Sequence, residues 1–340
     1  MKFPLFSSKR LGIDLGTASC LVWSSGEGVV LSESSVIAVD CVSGKVVAVG
    51  TNASEMLGRT GVGNLLAQKP LRDGVVADYL VCEAMLKYFL DKVLGSSRFA
   101  RPEVMVCIPS GITQVERRAV LEATLAAGAK TAYLIEHPLA AAIGAKLPID
   151  AALGSMIVDI GAGQVGAAVV SLGGIVVSQA AKVGGDKITE AITTYVRRTH
   201  NLIIGERMAE EIKIKIGMAI PTTPKKVIEA KGRDAILGMP KTINIDSNEV
   251  AGAIAGVLSA IIGCVKNVLE QTPPELASDI IDRGIVLSGG TAQLKGLDRL
   301  ISTQTGVSAH VAEDPLLCVV YGTGVALENI DRWRKVVEAR

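Results

Sequence analysis

Aromatic residues are scarce in this sequence: two Trp, five Tyr and four Phe among 340 residues. Its cores must therefore be built from Val, Ile, Leu and Ala, with the 36 glycines supplying close-packed turns. Histidine is scarcer still, at three (His137, His200, His310), with no ligand spacing among them. The six cysteines (Cys20, Cys41, Cys82, Cys107, Cys264, Cys318) include no CxxC pair. This pattern speaks against a disulfide framework and a zinc enzyme, and reads as small buried thiols in a reducing cytoplasm. An excess of charge is also lacking. Lys+Arg 35 against Asp+Glu 34 leaves +1, so no global positive field recruits nucleic acid, which is not an expected partner.

What is present is apolar residue, at 49%, over a length that suits roughly two domains of about 150 residues. Two charge-free stretches call for a membrane check. Ile160–Ala181 is broken by glycines, Gln164 and Gln179 into turns and short strands. Val250–Val265, sixteen residues diluted by Ala and Gly, falls short of the roughly 20 needed to span a bilayer and predicts a buried helix. The opening MKFPLFSSKR lacks the apolar core of a signal peptide.

From Leu11 onward, short β-branched runs separated by Gly and Ser predict consecutive hairpins. Helical spacing follows over 83–95, and again over 113–128 with a Thr N-cap and a Gly stop. The opening pattern then returns at 155–181: Asp14-Leu15-Gly16 and Asp159-Ile160-Gly161 are the same device 145 positions apart, which predicts two similar halves. Helices are expected at 188–199, 206–217 and 249–270, polar strands near 225–246, and strand, Gly turn and helix over 284–300. The closing ENIDRWRKVVEAR reads as a charged helix.

A strand-end Asp followed by Gly and a small residue makes a tight turn whose backbone N–H groups can face a phosphate, while the carboxylate holds a magnesium ion through water. One such turn is weak evidence, because an ordinary hairpin looks the same. Two of them, joined by the strand-SGGT-helix element at 287–294, describe a cleft that grips a nucleotide between two lobes.

These turns resemble the two phosphate segments and the adenosine segment of the actin-like ATPase superfamily. The strings IPSGITQVERRAV, LIEHPLAAAIGAKL, SLGGIVVSQAAKVGGDKITEAI, YVRRTHNLIIGE and TPPELASDIIDRGIVLSGG are similar to the MreB family of bacterial actin homologues, from about Leu11 to the last helix. The resemblance implies an α/β actin-like ATPase fold: two lobes, each with an RNase-H-like core, in subdomains IA, IB, IIA and IIB. It implies lobe I at 1–147 plus 315–340 (small subdomain about 33–66) and lobe II at 148–314 (small subdomain about 182–245). It further implies ATP or ADP with Mg2+, self-assembly into filaments, a place at the inner face of the cell membrane, and wall-synthesis membrane proteins as partners. Carried over by position, Gly16, Thr17, Ala18 and Ser19 fall on the first phosphate loop, and Gly161, Ala162, Gly163 and Gln164 on the second. Glu210, Glu211, Ile212 and Lys213 fall on the ribose and adenine side, and Gly289, Gly290, Thr291 and Ala292 on the adenosine motif. Asp14 and Asp159 would stand near the magnesium. On spacing alone, Glu210 and Lys213 are an ordinary i,i+3 ion pair.

The sequence departs from the family where water is handled. The family reads Asp-Ile-Gly-Gly-Gly-Thr-Thr-Glu at the second loop; here Asp159 to Gly166 read DIGAGQVG. It reads Glu-Glu-Pro where this chain has Glu136-His137-Pro138. His137 thus replaces the carboxylate credited with polarising the attacking water, and Gln164 the threonine that helps hold it. Either these two still orient a water and hydrolysis survives slowly, or ATP is bound and barely cleaved. A third reading keeps the fold but makes the chain a regulatory or capping paralogue that joins filaments without hydrolysis.

Phe3, Leu5 and Phe6, beside Lys2, Lys9 and Arg10, have the composition of a shallow anchor for an anionic surface, too short to hold without avidity along a polymer. Deleting Met1–Phe6 is expected to reduce co-sedimentation with liposomes, more on anionic than on neutral lipid. Unchanged binding would move the contact elsewhere, first to the loop around Phe99.

Overall fold

Two β-sheets carry one strand plan. The computed structural model describes residues 9–59, 65–95, 101–334 and 336–339. Its first sheet has the order Glu338–Ala339, Thr131–Glu136, Glu103–Ile108, Arg10–Leu15, Ser19–Ser24, Gly28–Ser34. Its second has the order Gly174–Ala181, Val165–Ser171, Ser155–Ile160, Ile285–Ser288, Ala309–Val311. In each, three strands form an antiparallel meander, and two more add in parallel beside the meander's first strand. The parallel strands are buried on both faces, which is why EVMVCI and IVLS are nearly unbroken apolar runs. The two Asp-containing turns are closed by the same bond: Gly16 N–H donates to Ser19 O at 3.1 Å, and Gly161 N–H to Gln164 O at 2.9 Å. The repeat read from Asp14 and Asp159 is therefore a repeat of topology.

Each sheet is covered on its outer face by its own helices. Tyr79–Leu94 and Gln114–Ala126 cover the first sheet, and Gly185–His200 and Ser247–Gln271 the second. Thr113 caps its helix as expected, through a reciprocal pair: its hydroxyl accepts from Glu116 N–H at 3.2 Å while Glu116 Oε2 accepts from Thr113 N–H at 2.7 Å. The helix expected over 83–95 begins earlier, at Tyr79, because the Asp78 side chain caps it by accepting from Val81 N–H. The apolar helix expected at 250–265 runs for 25 residues, long and apolar enough to cross a membrane. Its Val250, Ile254, Leu258, Ile261, Val265 and Val268 form a stripe packed into the core of the second half, and Gly252, Gly256 and Ala260 face outward.

Between the sheets lie two helices, His137–Gly144 and Cys318–Glu328, in a core shared with Met105, Cys107 and Ile135 of the first sheet and Ile157, Ala168, Val170 and Val286 of the second. Pro138, in the first turn, suits the abrupt passage from strand to helix at His137. The two helices touch backbone to backbone. A Cβ placed on Gly144 would overlap the carbonyl oxygen of Cys318, and one placed on Gly322 would overlap that of Ala140.

Smaller sheets project from each half: Ile37–Asp40 with Val46–Val49 and Leu65–Gln68, and Leu202–Ile203 with Val227–Asp234 and Pro240–Asp246. Lys69, beside the first, reaches across to Glu206 (2.9 Å) and Asp186 (3.5 Å), which belong to the helices beside the second.

Two sequence expectations are corrected. The C-terminal segment is not one charged helix: among its described residues, Ile330–Trp333 forms a short helix after the end of Cys318–Glu328, and Glu338–Ala339 pairs antiparallel with Leu134 and Tyr133. Trp333 is buried against the core, and Val337 beyond it packs on the same core next to the strand Glu338–Ala339. The SGGT element is followed by a four-residue 3-10 turn, Gly290–Gln293, with the α-helix starting only at Leu297.

Gly144→Ala or Gly322→Ala should force the paired helices apart. Overpacking typically costs about 1–3 kcal/mol, and contact with a rigid carbonyl places these changes at or above the top of that range. Denaturant unfolding of either variant is the measurement, and wild-type stability would show that the helices separate freely.

Candidate functional site

The Asp-x-Gly turns of both sheets and the turn after Ser288 open on one cavity of about 500 Å³. Among the residues singled out in the sequence, Asp14, Gly16, Thr17, Ala18, Ser19, His137, Asp159, Gly161, Ala162, Gly163, Gln164, Glu210, Lys213, Gly289, Gly290 and Thr291 line it. The loops are tied to one another by hydrogen bonds. Gly74 N–H donates to Thr17 Oγ1 at 3.1 Å, Thr291 Oγ1 donates to Gly161 O at 2.8 Å, and Asp186 N–H donates to Ala162 O at 2.8 Å. Gly289, at φ +85, lies so close to Ile160 that any side chain would strike the strand backbone. Ala162 is not among the described non-glycine residues of positive φ, so its methyl is carried without strain.

Three carried-over residues do not line the cavity. Ile212 is fully buried in the core, because only every third or fourth residue of the helix Glu206–Ile216 can face the cleft. Glu211 pairs with Lys215 on the outer face, and Ala292 is packed inward by the 3-10 turn. Glu210 and Lys213 do form the i,i+3 ion pair, at 2.6 Å, and both also border the cavity. Thr189 Oγ1 donates to Glu210 at 2.7 Å, and Lys213 Nζ donates to Gly185 O at 3.1 Å, so the pair is held in place from the neighbouring helix. Phe3, Leu5, Phe6 and Phe99 lie outside the described residues.

At the inner wall stands a four-residue cluster. His137 lies between the two aspartates: Nδ1 is 3.5 Å from Asp159 Oδ2, and Nε2 is 3.9 Å from Asp14 Oδ1. Cys107 Sγ completes it, 3.2 Å from Asp14 Oδ1 and 3.0 Å from His137 Nε2. With Nδ1 donating to Asp159, Nε2 faces the Cys107 sulfur, whose single proton can serve either Nε2 or Asp14 Oδ1. Burial pushes the Asp14 carboxyl above its usual range, and the Asp159 charge adds to this, against the opposing effects of His137 and the Cys107 bond. Burial and the Asp14 charge likewise push the Cys107 thiol well up. Burial disfavours charge on His137, yet the hydrogen bond to Asp159 and the charges of both aspartates leave its pKa raised.

Glu136, the carboxylate preceding His137, cannot take over its neighbour's role. Its two oxygens are held by Ser110 Oγ (2.6 Å) and Arg117 (3.1 Å), away from the cavity. Gln164 borders the cavity, and its amide fills the space that a Cβ on Gly74 would need.

Magnesium favours oxygen donors and keeps several waters. Asp14 and Asp159 fit such an ion held through its water shell, whereas the nitrogen and sulfur beside Asp14 do not suit direct coordination of it.

Cys107 is what the sequence reading missed. It appears there only as one of six scattered cysteines read as small buried thiols, 93 residues from Asp14 and 30 from His137. Its signal lies in register: Ile13 pairs with Val106 in the parallel ladder, which brings the following residues, Asp14 and Cys107, side by side.

Two topologically matched halves closing on a cleft of three glycine turns define an actin-like ATPase fold, with an RNase-H-like core in each lobe. MreB5 of Spiroplasma citri bound to ADP has this structure, with a TM-score of 0.91 at 33% identity over 97% of this chain and 98% of that one. A family model described as MreB/Mbl protein matches residues 8–335. The cell shape-determining protein MreB of Escherichia coli (strain K12) is 50% identical over 336 residues, 97% of this chain and 96% of that one. The cell shape-determining protein Mbl of Bacillus subtilis (strain 168) is 47% identical over 328 residues, 96% and 98% of the two chains. The chain belongs to the MreB/Mbl family.

Proposed function

We propose that this chain is an ATP-binding, actin-like cytoskeletal protein that polymerises into filaments at the inner face of the cell membrane and organises wall synthesis to set cell shape. The observation that carries the reading is the convergence of three glycine turns, from two matched sheets, on one nucleotide-sized cavity. The naming of relatives as cell shape-determining proteins and the ADP bound by a structural neighbour support it. ATP or ADP lies with its phosphates at Gly16–Ser19 and Gly161–Gln164, its ribose toward Glu210 and Lys213, and its adenosine beside Gly289–Thr291. Magnesium, held through water by Asp14 and Asp159, neutralises phosphate charge. Lobe I is 1–147 with 315–340, and lobe II is 148–314. Strand pairing supports this division, since every described strand of the second sheet falls between Ser155 and Val311.

Sedimentation tests the assembly reading: the chain should pellet with ATP and magnesium and remain soluble without nucleotide. Asp14→Ala and Asp159→Ala should lose the magnesium dependence of nucleotide affinity. A chain that neither pellets nor binds ATP would overturn the reading.

Hydrolysis in this reading is slow, because both ring nitrogens of His137 are engaged and Gln164 offers an amide where the family has a short hydroxyl. A carboxylate at 137 accepts a hydrogen bond from an attacking water in a way that an engaged imidazole does not. The double change His137→Glu with Gln164→Thr should raise phosphate release by about tenfold or more, each tenfold being roughly 1.4 kcal/mol of barrier. Either change alone should do less, since both act on one water. Wild-type turnover equal to that of the double variant would show that the chain aligns its water by other means.

A further inference from the structure

We propose that Cys107, His137 and Asp14 form a binding site for a divalent transition-metal ion of the zinc type, at the inner wall of the cleft. Sγ, Nε2 and Oδ1 of these residues stand 3.0, 3.2 and 3.9 Å from one another. Zinc binds sulfur at about 2.3 Å and nitrogen or carboxylate oxygen at about 2.0–2.2 Å. The edge of a tetrahedron is 1.63 times its centre-to-corner distance, so ligands around such an ion lie roughly 3.3–3.8 Å apart. The three observed separations bracket that edge, and small side-chain adjustments close the site.

The surroundings are those of a metal site. The ligands come from three adjacent places in the first sheet: the end of Arg10–Leu15, the strand Glu103–Ile108, and the residue following Thr131–Glu136. Asp159 accepts from the far nitrogen of His137 at 3.5 Å and is itself fixed by the Ser288 hydroxyl at 2.9 Å. This carboxylate–imidazole pair sets the tautomer that frees Nε2 for a metal. Asp14 and His137 also border the cavity, so the fourth position faces the cleft, where water can occupy it. A thiolate and an imidazole select zinc-type ions over magnesium. Binding replaces the thiol proton by the metal and releases that proton to solvent.

The site goes beyond the nucleotide reading and does not depend on it, because all three ligands belong to the chain. Where both hold, a zinc-type ion takes the Asp14 oxygen that would otherwise face the water shell of magnesium. Zinc is then a brake on the magnesium–nucleotide state.

The test uses the full chain, nucleotide-free and stripped with a chelator, titrated with Co2+ as a spectroscopic stand-in for zinc. The expected result is one Co2+ per chain, with a thiolate-to-metal charge-transfer band and the strong visible bands of tetrahedral cobalt. Stoichiometric Zn2+ should bleach them, and excess Mg2+ should leave them in place. Cys107→Ser should abolish the charge-transfer band, and His137→Asn should weaken binding more than about 100-fold, beyond the 10–100-fold typical of an outer partner. Circular dichroism checks the fold of each variant, and the wild-type spectrum stands whether or not a variant folds. Octahedral cobalt without a thiolate band would overturn the proposal. So would an unchanged band in Cys107→Ser, which would assign the sulfur to another cysteine. ATP affinity measured on the metal-free chain separates failure of this site from failure of the nucleotide reading.

Discussion

Two helix backbones in direct contact set the geometry of this molecule. The helices His137–Gly144 and Cys318–Glu328 fill the space between the sheets, and glycine at 144 and 322 lets each lie on a carbonyl of the other. Interiors are close-packed, so this approach fixes the separation of the sheets to within a methyl group. The separation in turn decides how far the Asp14 turn stands from the Asp159 turn, and so the width of the cleft. His137, the first residue of one of these helices, is placed between the two aspartates by the same packing.

The two halves differ instructively at matched positions. In the second sheet the parallel neighbour of Asp159 is Ser288, whose hydroxyl donates to it. In the first sheet the corresponding neighbour of Asp14 is Cys107. A hydroxyl merely satisfies its carboxylate, whereas a thiol beside an imidazole adds a soft donor. One repeated architecture thus carries a plain hydrogen bond on one side and a candidate metal site on the other.

Much of this was legible in the sequence, for particular reasons. The Asp-hydrophobic-Gly spacing recurs because the same turn is closed by the same backbone bond, so a local signal revealed a global repeat. Thr113 announced its helix as an N-cap, and the structure adds the reciprocal bond from Glu116. The misses have physical causes too. Glu211 and Ile212 were carried over as a contiguous string, but helical periodicity turns them away from the cleft that Glu210 and Lys213 face. The segment after Trp333 carries charge at helical density, yet Val337 packs on the core and the residues after it pair with a sheet edge instead. Cys107 was invisible because strand register, which no linear spacing encodes, is what places it beside Asp14.

Lys69 joins the first half to Asp186 and Glu206 of the second by ion pairs, while the glycine-lined helix pair joins the two sheets by packing. These two fastenings respond to different surroundings. Ion pairs near the surface weaken as dissolved salt shortens the reach of their fields, whereas packed backbone does not. Rising salt is therefore expected to loosen the Lys69 contact between the two halves before it affects the packed helix pair.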